Sequence, residues 1–454
     1  VKDGIGERMI PSLSALLSRC LVDRREGHRR AVLHHFRNAA RFDYLDDDER
    51  ERVRVEKLAE LLRAAGYTER LSKRKRDLLN VKPEDARVVL QSLPKLTRAE
   101  IQDDLDACLT RDRQTLSGDA TGGSSGTPMV FMVDRSAHRA REASLMWANS
   151  LAGWQEGERI AMLWGSDRDV SNALQHFRLG VRWWIENRRW YNAFNMGRAR
   201  MAQYHRDMQS FKPHIIVAYA GAMAAFARFI EQEGMRPRYP LKSIVCSAEL
   251  LTEPMRGQIE RNFGKPVFNR YGNREAGAIA AECISHSGLH INEHGFVIEV
   301  DSEDPYTIPG PILITHLENR GMPFVRYDTG DVGMLRQPQP CACGRHTEQI
   351  ATIAGRETDL IRTPVGNLIH GEFFTHILYG NSPVRNFQFI QETRREYRLL
   401  LVAEEEIPKG LQQQWRDRIL EALGAGSNLV IEQVETIAEL PSGKHRFTVS
   451  KLPK

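Results

Sequence analysis

A chain of 454 residues exceeds one ordinary hydrophobic core, so at least two domains are expected. Hydrophobic side chains make up 41% and charged ones 27%, and no run of about 18 apolar residues occurs, which excludes a membrane-spanning helix and implies a soluble protein. The net charge of +5 is spread over 64 basic and 59 acidic side chains, which excludes the single electrostatic pole of a nucleic-acid binder.

The apolar stretch Ile10 to Val22 is interrupted by Ser12, Ser14, Ser18 and Arg19, with no small-residue cleavage site before Asp23 and Arg24. It reads as an amphipathic helix and not as a signal peptide. Six cysteines without a secretory signal then imply a reducing compartment, and a cytoplasmic location is expected. From Ile10 to Ala107 apolar residues recur at three- and four-residue spacing, the pattern of helices, and the basic run Arg70 to Arg76 reads as a solvated helix face.

Strands are predicted at Glu158 to Gly165, His214 to Ala220, Leu241 to Cys246 and Pro266 to Tyr271, with helices at Met223 to Glu233 and Thr252 to Phe263. Strand and helix alternating this closely imply a parallel sheet. Ligands in such sheets sit beyond the carboxyl ends of the strands. Two segments fall there, Ser247-Ala248-Glu249 and Tyr271-Gly272-Asn273-Arg274-Glu275.

From Gly295 the chain turns strand-rich, at Phe296 to Val300 and Ile312 to His316. A smaller unit follows, with strands at Phe387 to Ile390, Tyr397 to Val402 and Leu429 to Val434 and a helix at Leu411 to Leu423. The expected boundary lies near Arg356, which divides the chain into a helical segment (1–110), a core (111–355) and a small C-terminal domain (356–454).

The segment Thr121-Gly122-Gly123-Ser124-Ser125-Gly126-Thr127-Pro128 combines glycines that let backbone approach a ligand with hydroxyls that donate to phosphate oxygens. It lacks the Lys-Ser/Thr pair of a Walker loop, and alone it also reads as a flexible linker. Cysteines form a second constellation: Cys341 and Cys343 flank one residue, and Cys283 precedes His290 by seven. Three thiolates and an imidazole suit a closed, structural zinc site, with His286 as a rival to His290 and separately buried thiols as the alternative.

Taken in order, the loop at 121–128, Tyr271 to Glu275, Arg326-Tyr327-Asp328-Thr329-Gly330-Asp331, Gly355-Arg356 and Pro441-Ser442-Gly443-Lys444 resemble the motif set of the acyl-adenylate-forming superfamily. Leu93-Pro94-Lys95-Leu96-Thr97, Ser247-Ala248-Glu249 and Cys341-Ala342-Cys343-Gly344-Arg345 resemble its phenylacetate-CoA ligase branch, capsule-biosynthesis relatives included. Some members of that branch carry the same Cys, His, Cys, Cys pattern. The resemblance implies an α/β fold: a large N-terminal adenylate-forming domain with parallel sheets and a β-rich subdomain, preceded by a helical segment, plus a small mobile α+β C-terminal domain.

It also implies roles. Ser124, Ser125, Gly126 and Thr127 would hold the ATP phosphates; Ser247, Ala248, Glu249, Asn269 and Tyr271 would line the adenine; Asp331 would bind the ribose hydroxyls, joined by Arg356 from the junction; and Thr121 and Gly272 would belong to the same nucleotide site. Glu275 would ligate Mg²⁺, and Lys444 would bring positive charge to the carboxylate and the α-phosphate, where two anions must meet. Arg274 departs from the Ser or Thr common before the acidic residue, and Thr358 with Asp359 stands at the hinge position. Trp183, Trp184, Trp190 and Tyr191 supply aromatic area for a pocket or a core.

The expected reaction is ATP-dependent activation of a carboxylic acid, with release of pyrophosphate and acyl transfer to coenzyme A. The alternatives are transfer to a carrier protein, an amine or a sugar-linked acceptor, and, from another class, a non-catalytic nucleotide- and zinc-binding module. Expected partners are the acid and the acyl acceptor, with a second copy of the chain admitted and nucleic acid excluded.

Overall fold

The computed structural model describes residues 13–121, 129–165, 186–193, 196–356, 361–364, 368–369, 371–378, 383–403, 405–437 and 447–452. The N-terminal region is helical as expected, with α1 at Leu13–Phe42 and α2 at Asp47–Ala65, followed by short helical turns as far as Thr115. Asp46 begins α2 by accepting a hydrogen bond from the Glu49 backbone, and three acidic residues in the first turn complement the helix dipole.

A two-stranded hairpin follows, β1 (Ser117–Ala120) with β2 (Val130–Val133), antiparallel with Ala120 opposite Val130. Helix α3 (Arg135–Leu151) then leads into the main sheet. Five strands enter it in parallel with their neighbours: β3 (Ile160–Leu163), β4 (Arg188–Tyr191), β5 (Ile215–Tyr219), β6 (Ser243–Ser247) and β7 (Val267–Asn273). Between them lie α4 (Arg198–Phe211), α5 (Ala220–Gln232) and α6 (Glu253–Phe263). Every residue of β5 and β6 is buried, which is why these strands read as continuous apolar runs without alternation.

At β7 the direction changes. The antiparallel partner β8 (Gly277–Glu282) continues through β9 (Leu289–Ile291), β10 (Phe296–Val300), β11 (Gly310–His316), β12 (Tyr327–Leu335) and β13 (Gln349–Arg356). The result is one eleven-stranded sheet with the order β10-β11-β12-β13-β9-β8-β7-β6-β5-β3-β4. The parallel and β-rich parts expected from the sequence are therefore halves of a single sheet joined by the tight β7–β8 turn. That turn needs glycine: a Cβ on Gly272 would come within 2.0 Å of the Gly277 carbonyl oxygen, and Gly277 has φ +88°.

The C-terminal residues build their own sheet. A short pair, β14 (Ile361–Arg362) and β15 (Leu368–Ile369), precedes α7 (Gly371–Leu378); β16 (Val384–Gln391), β17 (Glu396–Ala403), β18 (Asn428–Gln433) and β19 (Thr448–Ser450) then form a four-stranded sheet with α8 (Lys409–Leu423). Phe374, Phe387, Phe389, Tyr397, Trp415 and Ile419 form a separate core there.

Helix α2 packs on the antiparallel half, where Leu58, Leu61, Leu62 and Ala65 meet Val297, Leu317 and Val325. Buried charges lie beside this contact. Glu293, only 1% exposed, accepts from Arg50 Nη1 at 2.9 Å and lies 3.5 Å from Arg54 Nη1, while Lys57 pairs with Glu318. Asp43, after α1, accepts from Trp147 Nε1 at 2.9 Å and Arg345 Nε at 3.0 Å. Among the described residues no helix is long and apolar enough to cross a membrane.

Candidate active site

Of the motif residues the structure describes, Tyr271, Glu275, Tyr327 and Asp331 meet near the seam between the two sheet halves. Tyr271, on β7, donates to Asp331 Oδ2 on β12 at 2.8 Å and lies 3.4 Å from Thr329 Oγ1. Burial, and then the Asp331 carboxylate, raises the Tyr271 phenol well above its ordinary pKa, so it stays a neutral donor. Arg356 stands directly opposite Asp331 in the β12–β13 register, so the junction arginine and the ribose candidate share one rung of the ladder.

Glu275 occupies the β7–β8 turn and is 7% exposed. Tyr327 Oη donates to Glu275 Oε1 at 3.0 Å and lies 3.9 Å from Met129 Sδ. Burial and Glu275 together raise the Tyr327 phenol, so it too remains protonated beside the carboxylate. Met129 and Thr121 close the base of the glycine-rich segment: Thr121 N donates to Met129 O at 2.9 Å, and Met129 N donates to Thr121 Oγ1 at 3.0 Å. Arg98 Nη2 also donates to Thr121 Oγ1 at 3.2 Å. Ser124, Ser125, Gly126 and Thr127 lie outside the described residues, as do Lys444, Thr358, Asp359, Trp183 and Trp184. The two ends of the loop are nevertheless tied to each other, and Met129 sets one of them against Tyr327.

At the end of β6, Ser247 Oγ donates to the Arg270 carbonyl at 2.8 Å, and Ala248 takes φ +65°, which turns the chain sharply. Glu249 Oε2 then accepts from Gly221 N at 2.8 Å, at the start of α5, where the helix dipole favours an anion. Asn269 precedes Tyr271 by two residues on the same strand and so shares its face, and its backbone donates to Glu282 Oε2 at 2.7 Å. Arg274 is half exposed and lies 3.6 Å from Asp119 on β1, which also accepts from Arg141 at 3.0 Å. The departure at position 274 therefore ties the β7–β8 turn to the hairpin that bears the loop.

The cysteine constellation assembles at the far end of β8. Cys283, His290, Cys341 and Cys343 place their donor atoms within 4.8 Å of one another, with Cys283 Sγ 3.6 Å from Cys341 Sγ and Cys343 Sγ 3.4 Å from His290 Nε2. His290 Nδ1 bonds Thr347 Oγ1 at 2.9 Å, which orients the ring with Nε2 toward the thiols; Gln349 Nε2, 2.8 Å from that nitrogen, must give way to a metal. Burial opposes ionisation of Cys341, yet hydrogen bonds from the Cys343 backbone and from Ser285, His290 and Cys343 hold its thiol down at about 5. Burial lowers the pKa of His290, so its ring is neutral and free to ligate. His286 stands apart, bonded through Nδ1 to Glu282 Oε2 at 3.1 Å and set against Phe268. The four donors suit a tetrahedral ion such as zinc, and the choice between His286 and His290 falls to His290.

Sequence reasoning passed over Tyr327, Arg98 and Asp119. Tyr327 lies inside a quoted motif and Asp119 two residues before the loop, so proximity to the motifs was the available signal.

Residues 361–451 match the family described as the CapK C-terminal domain. Protein CapK of Staphylococcus aureus is 24% identical over 369 residues, which is 80% of each chain. Phenylacetate-coenzyme A ligase of Thermus thermophilus is 31% identical over 163 residues, covering 34% of this chain and 36% of its own. Among solved structures, 2-hydroxyisobutyryl-CoA ligase, in the postadenylation state with R3-HIB-AMP, superposes with a TM-score of 0.71 over 90% of this chain and 91% of its own, at 16% identity. At that identity the likeness is one of fold.

Proposed function

We propose, for a chain that belongs to the acyl-adenylate-forming superfamily in the branch of phenylacetate-CoA ligase and CapK, that it joins a carboxylic acid to AMP at the expense of ATP and then passes the acyl group to coenzyme A. The observation that carries this reading is the joined pair of hydrogen-bonded sets, Tyr271–Asp331 and Tyr327–Glu275, at the foot of the glycine-rich loop. A nucleotide set against Tyr271 meets a carboxylate for its ribose at Asp331, and its phosphates run toward the loop and Glu275. Glu275 is a buried oxygen donor of the kind Mg²⁺ takes alongside substrate phosphates, and the ion when bound offsets phosphate charge. Lys444, from the small C-terminal unit, supplies the cation between the entering carboxylate and the α-phosphate. Arg356 marks the junction about which that unit moves, with Thr358 and Asp359 as its hinge. Zinc, held by Cys283, His290, Cys341 and Cys343, is structural because its four protein ligands leave no open position.

A second reading, suggested by the resemblance to capsule-biosynthesis relatives, keeps adenylation and changes the acceptor to a carrier protein, an amine or a sugar-linked group. The deciding measurement is acid-dependent exchange of labelled pyrophosphate into ATP across a panel of carboxylic acids, followed by addition of coenzyme A alone. Thioester formation supports the first reading; exchange without thioester supports the second; no exchange with any acid removes both. Protein prepared without chelator should contain about one equivalent of zinc, and metal analysis finding none would remove that assignment.

A further inference from the structure

Arg270 is the residue before Tyr271 on β7 and points to the opposite face of the sheet, the face of Phe268 and helix α3. It is 6% exposed. Its Nη1 lies 3.3 Å from Asn149 Oδ1 on α3, its Nε lies 3.3 Å from Ser247 Oγ, and its guanidinium sits 5.8 Å from the centre of the Trp164 ring. No carboxylate among the described residues lies within ion-pair distance of it. A buried guanidinium ordinarily has such a partner, because losing water without gaining an anion is costly. Burial, and then repulsion from Arg188, weakens its hold on its proton, to about 10.

Its place in the sheet gives the charge a use. Tyr219, Ser247 and Arg270 are register partners across β5, β6 and β7, and Trp164 directly follows Leu163, the partner of Ala218. These four residues therefore form one row at the carboxyl ends of parallel strands, where ligands bind. The Trp164 and Tyr219 rings stack at 4.1 Å and form a flat apolar wall beside the guanidinium. Consecutive on β7, Tyr271 and Arg270 face opposite sides of the sheet.

We propose that Arg270 is a specificity-determining residue and that the acid this protein activates carries a second oxyanion, at the end remote from the carboxylate that joins AMP. The guanidinium fork pairs with that group, and the Trp164–Tyr219 wall covers the apolar or planar body between the two ends. This rests on the adenylation reading and names its substrate class. A carboxylate, sulfonate or phosphonate offers the same recognition chemistry, and Asn149 and Ser247 hold the fork in place.

The test needs matched acids that differ only in charge at the far end. Pyrophosphate exchange is measured on the whole protein with terephthalate against its monoamide, with succinate against succinamate, and with 4-sulfobenzoate and 4-phosphonobenzoate to separate the oxyanions. The expected kcat/KM ratio of charged acid to amide is about 10² or more in the unaltered protein, and near unity in Arg270→Met, because a buried polar site rejects a ligand that leaves it unpaired. Arg270→Lys should recover part of the ratio. Equal rates for charged and neutral acids in the unaltered protein overturn the proposal while leaving adenylation standing, and this arm requires no variant to fold. Unaltered discrimination in a folded Arg270→Met protein also overturns it, since a merely structural arginine moves stability and not the ratio. Exchange with no acid at all removes the adenylation reading first, and the proposal with it.

Discussion

Two regions of this molecule bury arginine, and they treat it in opposite ways. Where α2 meets the antiparallel half of the sheet, each buried cation faces a carboxylate: Arg50 and Arg54 share Glu293, and Lys57 holds Glu318. At the carboxyl ends of the parallel half, Arg270 has, among the described residues, only a hydroxyl, an amide and an indole ring. In the first arrangement the charges are offset within the folded chain, and it is structural. The second is complete only when something anionic arrives, so an uncompensated buried charge is a sign of ligand where a compensated one is a sign of architecture.

Substitutions on each side break or sharpen this contrast. The largest effect is expected for Glu293→Ala, which takes from Arg50 and Arg54 their buried carboxylate and leaves them the more exposed Asp47 and Glu348, and should cost about 3 kcal/mol of stability. Urea denaturation reads that loss, and pyrophosphate exchange by the remaining folded protein should be close to normal. A small loss of stability with lost exchange would reverse the assignment of this region.

Lys444→Ala is the converse. It should lower acid-dependent exchange about 10²–10³-fold, the effect of removing one preorganised charge from a developing transition state, with the denaturation midpoint little changed. Acyl transfer from preformed adenylate should suffer less. Near-normal exchange would remove Lys444 from the chemistry.

The smallest effect is on the pH dependence of stability. Burial, with Lys57 next, holds His294 at about 3, and burial holds His316 at about 4. Both are neutral when folded and take up a proton near 6.5 when unfolded, so stability present above pH 6.5 falls as the pH drops toward 4. The slope is about 1.4 kcal/mol per pH unit for each histidine. Against its burial, Lys57 keeps Glu318 at about 2, so its contribution is lost only below about 4.5. Denaturation of His316→Gln at pH 7.5 and 5 should show a shallower slope than the unaltered protein; an equal slope would mean His316 is protonated when folded.

Much of the fold was legible because apolar periodicity is a local signal. Strand His214 to Ala220 appears as Ile215–Tyr219, and helix Leu411 to Leu423 begins two residues earlier, at Lys409. Strand β4 was missed, since Arg188, Arg189 and Trp190 are only partly buried and carry no apolar run. The merging of two sheets into one was also hidden, because it depends on pairing across the β7–β8 turn and on β9 reaching β13, which no short window records. In the site, the motif order placed Tyr271, Glu275 and Asp331 together without revealing that Tyr327 holds Glu275. Arg270 did leave a trace: a charge inside the strand-like run Val267 to Tyr271 contradicts the apolar pattern of a buried strand.

The docking of the first helices has a consequence for how the chain is made. Arg50 meets Glu293 across 243 residues, and Asp43 meets Arg345 across 302. At a synthesis rate of about 5–20 residues per second, α1 and α2 wait for roughly 15–60 s before their partners leave the ribosome. During that interval Leu58, Leu61 and Leu62 are an uncovered apolar stripe beside unpaired arginines. Contacts this distant close slowly, and a waiting stripe of this kind is what chaperones recognise or aggregates recruit. The cysteine-bearing loop at 341–346 carries the last of those partners, so the N-terminal helices are clasped only after most of the large sheet has been synthesised.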